Sequence, residues 1–146
     1  MDKRIAQVND YLVAVFNDIL SIEESELQSV KLSDISVKEM HTIEAIGLHD
    51  TKTSSEVAEK LSITVGTLTV AINNLVKKDY VERVRTDEDR RVVRLKLTNK
   101  GRLFYRAHAQ FHKNMVEAAL SDMSQEEQDA ISKGLKNLHA FLQRHY

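Results

Sequence analysis

The 146-residue sequence predicts a mainly α-helical chain with one small β-hairpin, an α+β fold. Proline is absent and there are only four glycines, so few residues interrupt helices. Capping boxes of the form Ser/Thr-x-x-Glu, which mark helix N-termini, begin at Ser36, Thr53 and Ser124. Two strand-like segments, 80–85 and 92–97, flank a charged tip and predict the hairpin.

The N-terminal part predicts one long amphipathic helix from Lys3 to about Leu27, because its apolar residues recur at intervals of three and four. Further apolar residues widen this stripe, which indicates contact with more than one neighbour. A short second helix is predicted to follow the Ser36 capping box and to end near Gly47.

Residues 53–61 and 65–78 predict a pair of helices joined by a tight turn, with Thr64 as the N-cap of the second. Residues at helical spacing predict the buried stripe of that second helix: Val65, Leu68, Ile72, Leu75 and Val76. A step of 100° per residue leaves an outward face of Gly66, Val70, Asn73, Asn74 and Lys77, with Thr67 and Thr69 at its flanks. Methyl groups and amides on this face favour thymine and adenine, so we expect an A·T-rich half-site.

The hairpin that follows is basic. From 64 to 102 there are ten Lys/Arg and five Asp/Glu, a net charge of +5 in a chain whose total is −1. A helix pair with a polar outward face beside a basic hairpin is typical of a winged helix-turn-helix that binds DNA. The alternative is a winged helix that serves as a protein-interaction module and binds no DNA. The residues predicted to contact DNA are Thr53, Ser54, Thr64, Gly66, Thr67, Thr69, Val70, Asn73, Asn74, Lys77, Arg83, Arg90 and Arg91.

After the hairpin, a long helix is predicted from Asn99 to about Leu120, and a last helix follows the Ser124 capping box. The last helix carries a packing seam of Ile131, Leu135, Leu138 and Leu142. This apolar helix surface at both termini exceeds what one small module needs, which favours a two-fold homodimer. The predicted organisation is therefore a dimerisation helix in 1–34, a DNA-binding unit in 35–98 and dimerisation helices in 99–146.

Several function classes are disfavoured by the sequence. It contains no phosphate-binding Gly-rich loop, no Gly-x-Ser-x-Gly elbow and no His-Glu-x-x-His, so we expect no enzyme. Cysteine is absent, which removes disulfides and thiolate chemistry. No run reaches the ~18 apolar residues of a membrane span, and the N-terminus lacks a signal-peptide core. A cytoplasmic protein without a membrane partner is expected.

The run from Asp87 to Thr98, followed by Lys100-Gly101, resembles the wing of MarR-type transcriptional regulators. This resemblance extends over essentially the whole chain and implies a six-helix homodimer with a wing arginine in the minor groove. Many members carry arginine at the positions of Val70 and Glu88, which this chain lacks. Either Arg90 or Arg91 is then expected to enter the minor groove.

Within that family the chain is similar to the fatty-acid-synthesis repressors of streptococci and lactococci, in 35–43, in 65–69 with 73–75, and in 82–91. The similarity implies repression of fatty-acid-synthesis genes, with a long-chain acyl group on acyl carrier protein as corepressor. Flexible Met and aromatic side chains suit an acyl chain. The predicted acyl pocket comprises Phe16, Ile19, Leu20, Met40, Ile43, Phe104, Phe111 and Met115. The predicted contacts to the acidic carrier are Arg102, Arg106 and Lys113.

A zinc-responsive regulator is the alternative within the same fold. His108 and His112 lie four residues apart on one predicted helix, a spacing that can chelate a metal ion. Zinc-sensing members of the family use His and Glu ligands in this region, so Glu24 and His41 are the candidates to complete the site. Otherwise no metal or cofactor is expected.

Overall fold

The computed structural model describes residues 1–29, 34–85 and 87–146, and for 27–29 it describes the backbone alone. These residues form six helices and three strands, which confirms a mainly α-helical fold with a hairpin wing. The elements are α1 (Lys3–Ser29), α2 (Val37–Ile46), β1 (Lys52–Thr53), α3 (Ser54–Leu61), α4 (Val65–Lys77), β2 (Val81–Arg85), β3 (Val93–Leu97), α5 (Asn99–Leu120) and α6 (Gln125–His145).

All three predicted capping boxes form. Ser36 Oγ accepts from the backbone N–H of Glu39 at 3.1 Å, and the Glu39 carboxylate accepts in return from the backbone N–H of Ser36. The boxes at Thr53 and Ser124 repeat this arrangement at the starts of α3 and α6. Thr64 caps α4 through the backbone N–H of Thr67 at 3.1 Å. Local sequence therefore determines where four of the helices begin.

The sheet has the antiparallel order β1-β3-β2. In the hairpin, Val81 lies opposite Leu97 and Arg85 opposite Val93. The sequence did not predict β1, because a pairing of two residues, Lys52 and Thr53, is too short for any alternation to appear. This short strand joins the start of α3 to the wing.

The chain forms two compact units, Met1–Tyr105 and Arg106–Tyr146, with the boundary inside α5. The core of the first unit collects the apolar faces of α2, α3 and α4 together with the inward residues of β2 and β3. Leu68, Ile72 and Leu75 are buried as predicted. Val65 is not, and its side chain is 45% exposed. It is the first residue of α4, one turn ahead of the residues that enter the core.

Gly101 sits where α5 starts against the turn that precedes β2. A Cβ at this position would lie 2.1 Å from the carbonyl oxygen of Tyr80. Thr98 secures the same junction, since its Oγ1 donates to the carbonyl of Asp79 at 2.6 Å and accepts from the backbone N–H of Gly101 at 3.1 Å. The first turn of α5 is thus held closely against the start of the wing.

Large apolar side chains remain exposed on α1 and on α6. Val8 and Tyr11 of α1 are each 67% exposed, and Leu135 of α6 is 57% exposed. None of the residues of α6 is buried. No helix among the described ranges is long and apolar enough to cross a membrane.

Candidate nucleic-acid interface

The outward face of α4 is positioned as the sequence predicted. The seven residues of this face are exposed, and they are Gly66, Thr67, Thr69, Val70, Asn73, Asn74 and Lys77. Val70 is 63% exposed at its centre. The hydroxyl of Thr69 donates back to the carbonyl of Val65 at 2.9 Å, and that of Thr64 donates to Thr67 Oγ1 at the same distance. The hydroxyl protons of Thr69 and Thr64 are therefore engaged, and the face offers methyl groups, amides, one lysine and the hydroxyl proton of Thr67.

A tight turn sets α3 against α4. Ser62 ends α3 in the left-handed conformation, with φ at 56°, and Ile63 donates its N–H to the carbonyl of Ala58 at 3.0 Å. Thr53, predicted as a DNA contact, is the N-cap of α3. Its hydroxyl donates to the Glu56 carboxylate at 3.0 Å and accepts from the Glu56 N–H. The Thr53 hydroxyl is thus engaged in its own capping box, and its contact with DNA stays a prediction. Ser54 lies half-buried at the helix start.

The tip of the wing separates its two candidate arginines. Arg91 donates to Asp89 Oδ1 from its backbone N–H at 3.0 Å and from Nε at 3.3 Å. The carbonyl of Arg90 accepts from Arg85 at 2.7 Å. No described residue forms a hydrogen bond or ion pair with the guanidinium of Arg90, which is exposed. Arg91 braces the tip, and Arg90 keeps its charged group available.

A hydrogen bond connects the wing to α4. Arg83 Nη2, on β2, donates to Asn73 Oδ1, on α4, at 2.5 Å. Both residues were predicted as DNA contacts, and the structure brings them together. The bond uses one of the two lone pairs of an oxygen that asparagine needs for a two-point contact with adenine, and it fixes the orientation of the amide. The predicted pairing of Asn73 with adenine therefore competes with Arg83 for this oxygen.

The far end of α4 is fixed by a cluster that the sequence did not reveal. Lys78 Nζ donates to both carboxylate oxygens of the buried Glu39, at 3.0 and 3.1 Å, and to the carbonyl of Asp34. The hydroxyl of Tyr80 donates to Asp34 Oδ1 at 3.0 Å, and burial raises the pKa of this hydroxyl. Lys100 Nζ donates to the carbonyl of Lys78 at 2.9 Å and lies 4.3 Å from the centre of the Tyr80 ring. These bonds tie the end of α4 to the start of α2 and to α5.

Comparisons with known proteins match this geometry to one family. The model of the MarR family matches residues 33–92. The chain is 48% identical to Streptococcus pneumoniae FabT, whose structure was solved in complex with DNA; the match covers 97% of this chain and 99% of FabT, with a TM-score of 0.88.

The chain belongs to the MarR family.

Curated relatives agree with this membership. The transcriptional regulator PchR of Bacillus subtilis is 30% identical over 107 residues, which are 71% of this chain and 63% of PchR. The transcriptional repressor MdtR of the same organism is 23% identical over 126 residues, which are 86% of this chain and 79% of MdtR. The chain is thus a MarR-type DNA-binding transcriptional regulator and not an enzyme.

The residues predicted to line an acyl pocket in this MarR protein do not share one environment. Met40, Ile43 and Phe104 are buried in the core of the first unit, and the Phe104 ring meets Tyr80 edge-on. Ile19 and Leu20 are half-buried on α1. Phe16 is 61% exposed, and its position in an acyl pocket stays a prediction. Phe111 and Met115 are half-buried residues of the second unit.

The three residues predicted to contact the carrier protein differ in their surroundings. Arg102 is half-buried, and its guanidinium donates to the carbonyl of Leu97 at 2.8 Å and to Asn99 Oδ1. Arg102 is therefore engaged at the start of α5, and its contact with the carrier stays a prediction. Arg106 is exposed, and Lys113 lies 3.8 Å from Glu117 on the surface of α5.

Among the predicted metal ligands, Glu24 and His41 belong to the first unit, and His108 and His112 belong to the second. Glu24 is exposed, whereas its neighbour Glu23 is buried and lies 3.9 Å from His41. The role of Glu24 as a metal ligand stays a prediction. In the second unit, the Nε2 atoms of His108 and His112 are 2.9 Å apart.

Proposed function

We propose that the chain is a homodimeric repressor of fatty-acid-synthesis genes that binds a pseudo-palindromic, A·T-rich operator, with long-chain acyl-acyl carrier protein as corepressor. The observation that carries this proposal is the likeness to FabT in complex with DNA, at 48% identity over nearly the full length of both chains.

The surface of the first unit supports binding to an operator. The exposed face of α4 lies on an α-helix, an element that the major groove admits. Val70 matches the C5-methyl of thymine, the apolar group of that groove. Beside it, Arg90 offers its guanidinium to the narrow minor groove. The net charge of +5 between 64 and 102 adds attraction to phosphates.

Exposed apolar surface supports a homodimer. Val8 and Tyr11 on α1 and Leu135 on α6 present large apolar groups to water. Burial of such side chains against a second copy is favourable by ~25 cal/mol per Å². A two-fold dimer also presents two copies of α4 to two half-sites, as a pseudo-palindrome requires.

The corepressor rests on the resemblance to fatty-acid-synthesis repressors and on the apolar residues Ile19, Leu20, Phe111 and Met115, which are half-buried. Half-buried apolar side chains are available to an acyl chain without dismantling the core. Exposed Arg106 and Lys113 remain the candidates to contact the acidic carrier.

Fluorescence anisotropy with promoter DNA from fatty-acid-synthesis genes tests both the proposed operator and the proposed corepressor. We expect two chains to bind per duplex, more tightly than to shuffled DNA of the same composition. Addition of long-chain acyl-acyl carrier protein is expected to increase affinity, whereas the carrier without an acyl group is the control. Equal affinity for promoter and shuffled DNA would contradict the proposed operator, and equal effects of the two carrier forms would contradict the corepressor.

A zinc-responsive regulator is the second candidate, because the Nε2 atoms of His108 and His112 face each other at 2.9 Å. Two imidazole nitrogens this close are able to bind one metal ion. Calorimetry with zinc distinguishes the candidates, with His112→Ala as the comparison. Absence of zinc binding by the unmodified chain would exclude this function.

A further inference from the structure

The bond between Arg83 and Asn73 has a definite chemical orientation. A guanidinium carries N–H donors and no acceptor, so the Asn73 atom that faces it at 2.5 Å is the amide oxygen. The amide nitrogen of Asn73 therefore points away from Arg83. Both side chains are exposed on the surface that carries the outward face of α4.

This orientation changes which bases Asn73 is able to read. Recognition of adenine by asparagine uses both amide atoms, since the oxygen accepts from N6 and the nitrogen donates to N7. Arg83 uses one of the two lone pairs of this oxygen and holds it toward the wing, so the nitrogen, which points away from Arg83, is the amide atom that Asn73 directs to a base. A donor by itself matches the acceptors of the major groove, namely guanine N7 and O6 or thymine O4.

Asn74 provides the contrast on the same helix. It is exposed, and no described residue forms a hydrogen bond with its side-chain amide. Its oxygen and its nitrogen are both available, which is the combination that adenine requires. Two adjacent asparagines thus differ in what they present, and Arg83 causes the difference.

We propose that Arg83 is a specificity-determining residue, which holds the oxygen of Asn73 so that Asn73 selects guanine or thymine while Asn74 selects adenine. This inference rests on the proposed binding of operator DNA by α4. It assigns Arg83 a role beyond attraction to phosphates, because its bond to Asn73 fixes the chemistry of a neighbouring reader.

Selection of preferred sites from random DNA tests this assignment. The unmodified protein is expected to select guanine or thymine at one position that Asn73→Ala relaxes. Arg83→Met releases the amide, so preference at that position should move toward adenine by about tenfold, within the range of one two-point base contact. Arg83→Lys also presents donors only and should keep the original preference.

Arg85→Met is the matched control. It removes the same charge two residues along the same face of β2, but Arg85 bonds to the carbonyl of Arg90 and not to α4. Preference at the position read by Asn73 should stay unchanged in this variant. If Arg83→Met unfolds, which its melting curve would show, Asn73→Asp decides: its carboxylate keeps the pair with Arg83 but presents an acceptor oxygen in place of the nitrogen, so preference should move from guanine or thymine toward cytosine or adenine.

Three results would overturn the assignment: adenine at the Asn73 position in the unmodified protein, no shift in a folded Arg83→Met, or no position relaxed by Asn73→Ala. Retention of the original preference by Asn73→Asp would do so as well, since it shows that the amide nitrogen does not read the base. In all four cases the unmodified protein still enriches specific sites. Enrichment of no site at all would instead overturn the proposed DNA binding itself.

Discussion

Helices α4 and α6 are both amphipathic, but the apolar face of α4 is buried within the chain and that of α6 is largely exposed. Leu68, Ile72 and Leu75 of α4 are buried within the chain, whereas Leu135 and Leu142 of α6 are 57% and 44% exposed. The first unit therefore completes its own core, while α6 carries apolar surface that a single chain leaves in contact with water. This difference indicates that α4 is positioned by the fold of one chain, whereas the exposed apolar surface of α6 is what the proposed homodimer would bury.

The largest expected effect separates these two helices directly. Leu75→Ala removes a fully buried side chain and should lower the free energy of unfolding by ~2–5 kcal/mol, at any protein concentration. Leu135→Ala should instead weaken dimerisation, so its destabilisation should diminish as protein concentration rises. Urea denaturation at several concentrations measures both. An equally large, concentration-independent loss in Leu135→Ala would remove the contrast.

A smaller effect is expected where α4 is tied to α2. Lys78→Met leaves the buried Glu39 carboxylate without this partner and should cost ~1–3 kcal/mol. The control is Lys96→Met, which removes a more exposed cross-strand pair with Glu82 and should cost under ~1 kcal/mol. Thermal denaturation of the two variants gives the comparison. Similar losses would show that the Lys78 cluster does not anchor the helix.

Substitution of Val70, at the centre of the outward face of α4, is expected to change the base preference by a similar free energy. Val70→Arg should weaken binding to the native operator and shift preference toward guanine, by ~1–3 kcal/mol at the affected base pair. Site selection from random DNA detects the shift. Unchanged preference would show that this exposed face does not read the groove.

The smallest effect concerns the wing. Arg90→Ala should reduce the salt slope of DNA binding by about one unit, because one phosphate-neutralising group is lost. Arg91→Ala should keep the slope, since Arg91 pairs with Asp89 at the tip, and should slightly lower thermal stability. A reduced slope in Arg91→Ala alone would reverse the two assignments.

Local patterns predicted most of the fold, and long-range contacts account for what they missed. Capping boxes and helical spacing located α2, α3, α4 and α6, since both depend on residues three or four apart. The bonds from Lys78 to Glu39 and from Tyr80 to Asp34 join residues far apart in sequence, so no local pattern shows them.

In the candidate DNA-binding site too, local patterns were predictable and long-range contacts were not. The outward face of α4 was predictable from its spacing, but what each polar side chain already binds was not. Thr53 is used by its capping box and Asn73 by Arg83, and each partner takes up part of the hydrogen-bonding capacity of the side chain. Glu24 is exposed and Glu23 buried because a one-residue step turns a side chain by 100° on a helix.

The first unit has a complete core, whereas α6 has an apolar face that the proposed homodimer would cover. The molar mass of the protein in solution tests this contrast most directly. Multi-angle light scattering across a range of concentrations should give about twice the chain mass of 16.7 kDa, with dissociation favoured by Leu135→Ala. A mass of one chain at every concentration, in a protein that still binds its operator tightly, would contradict the account.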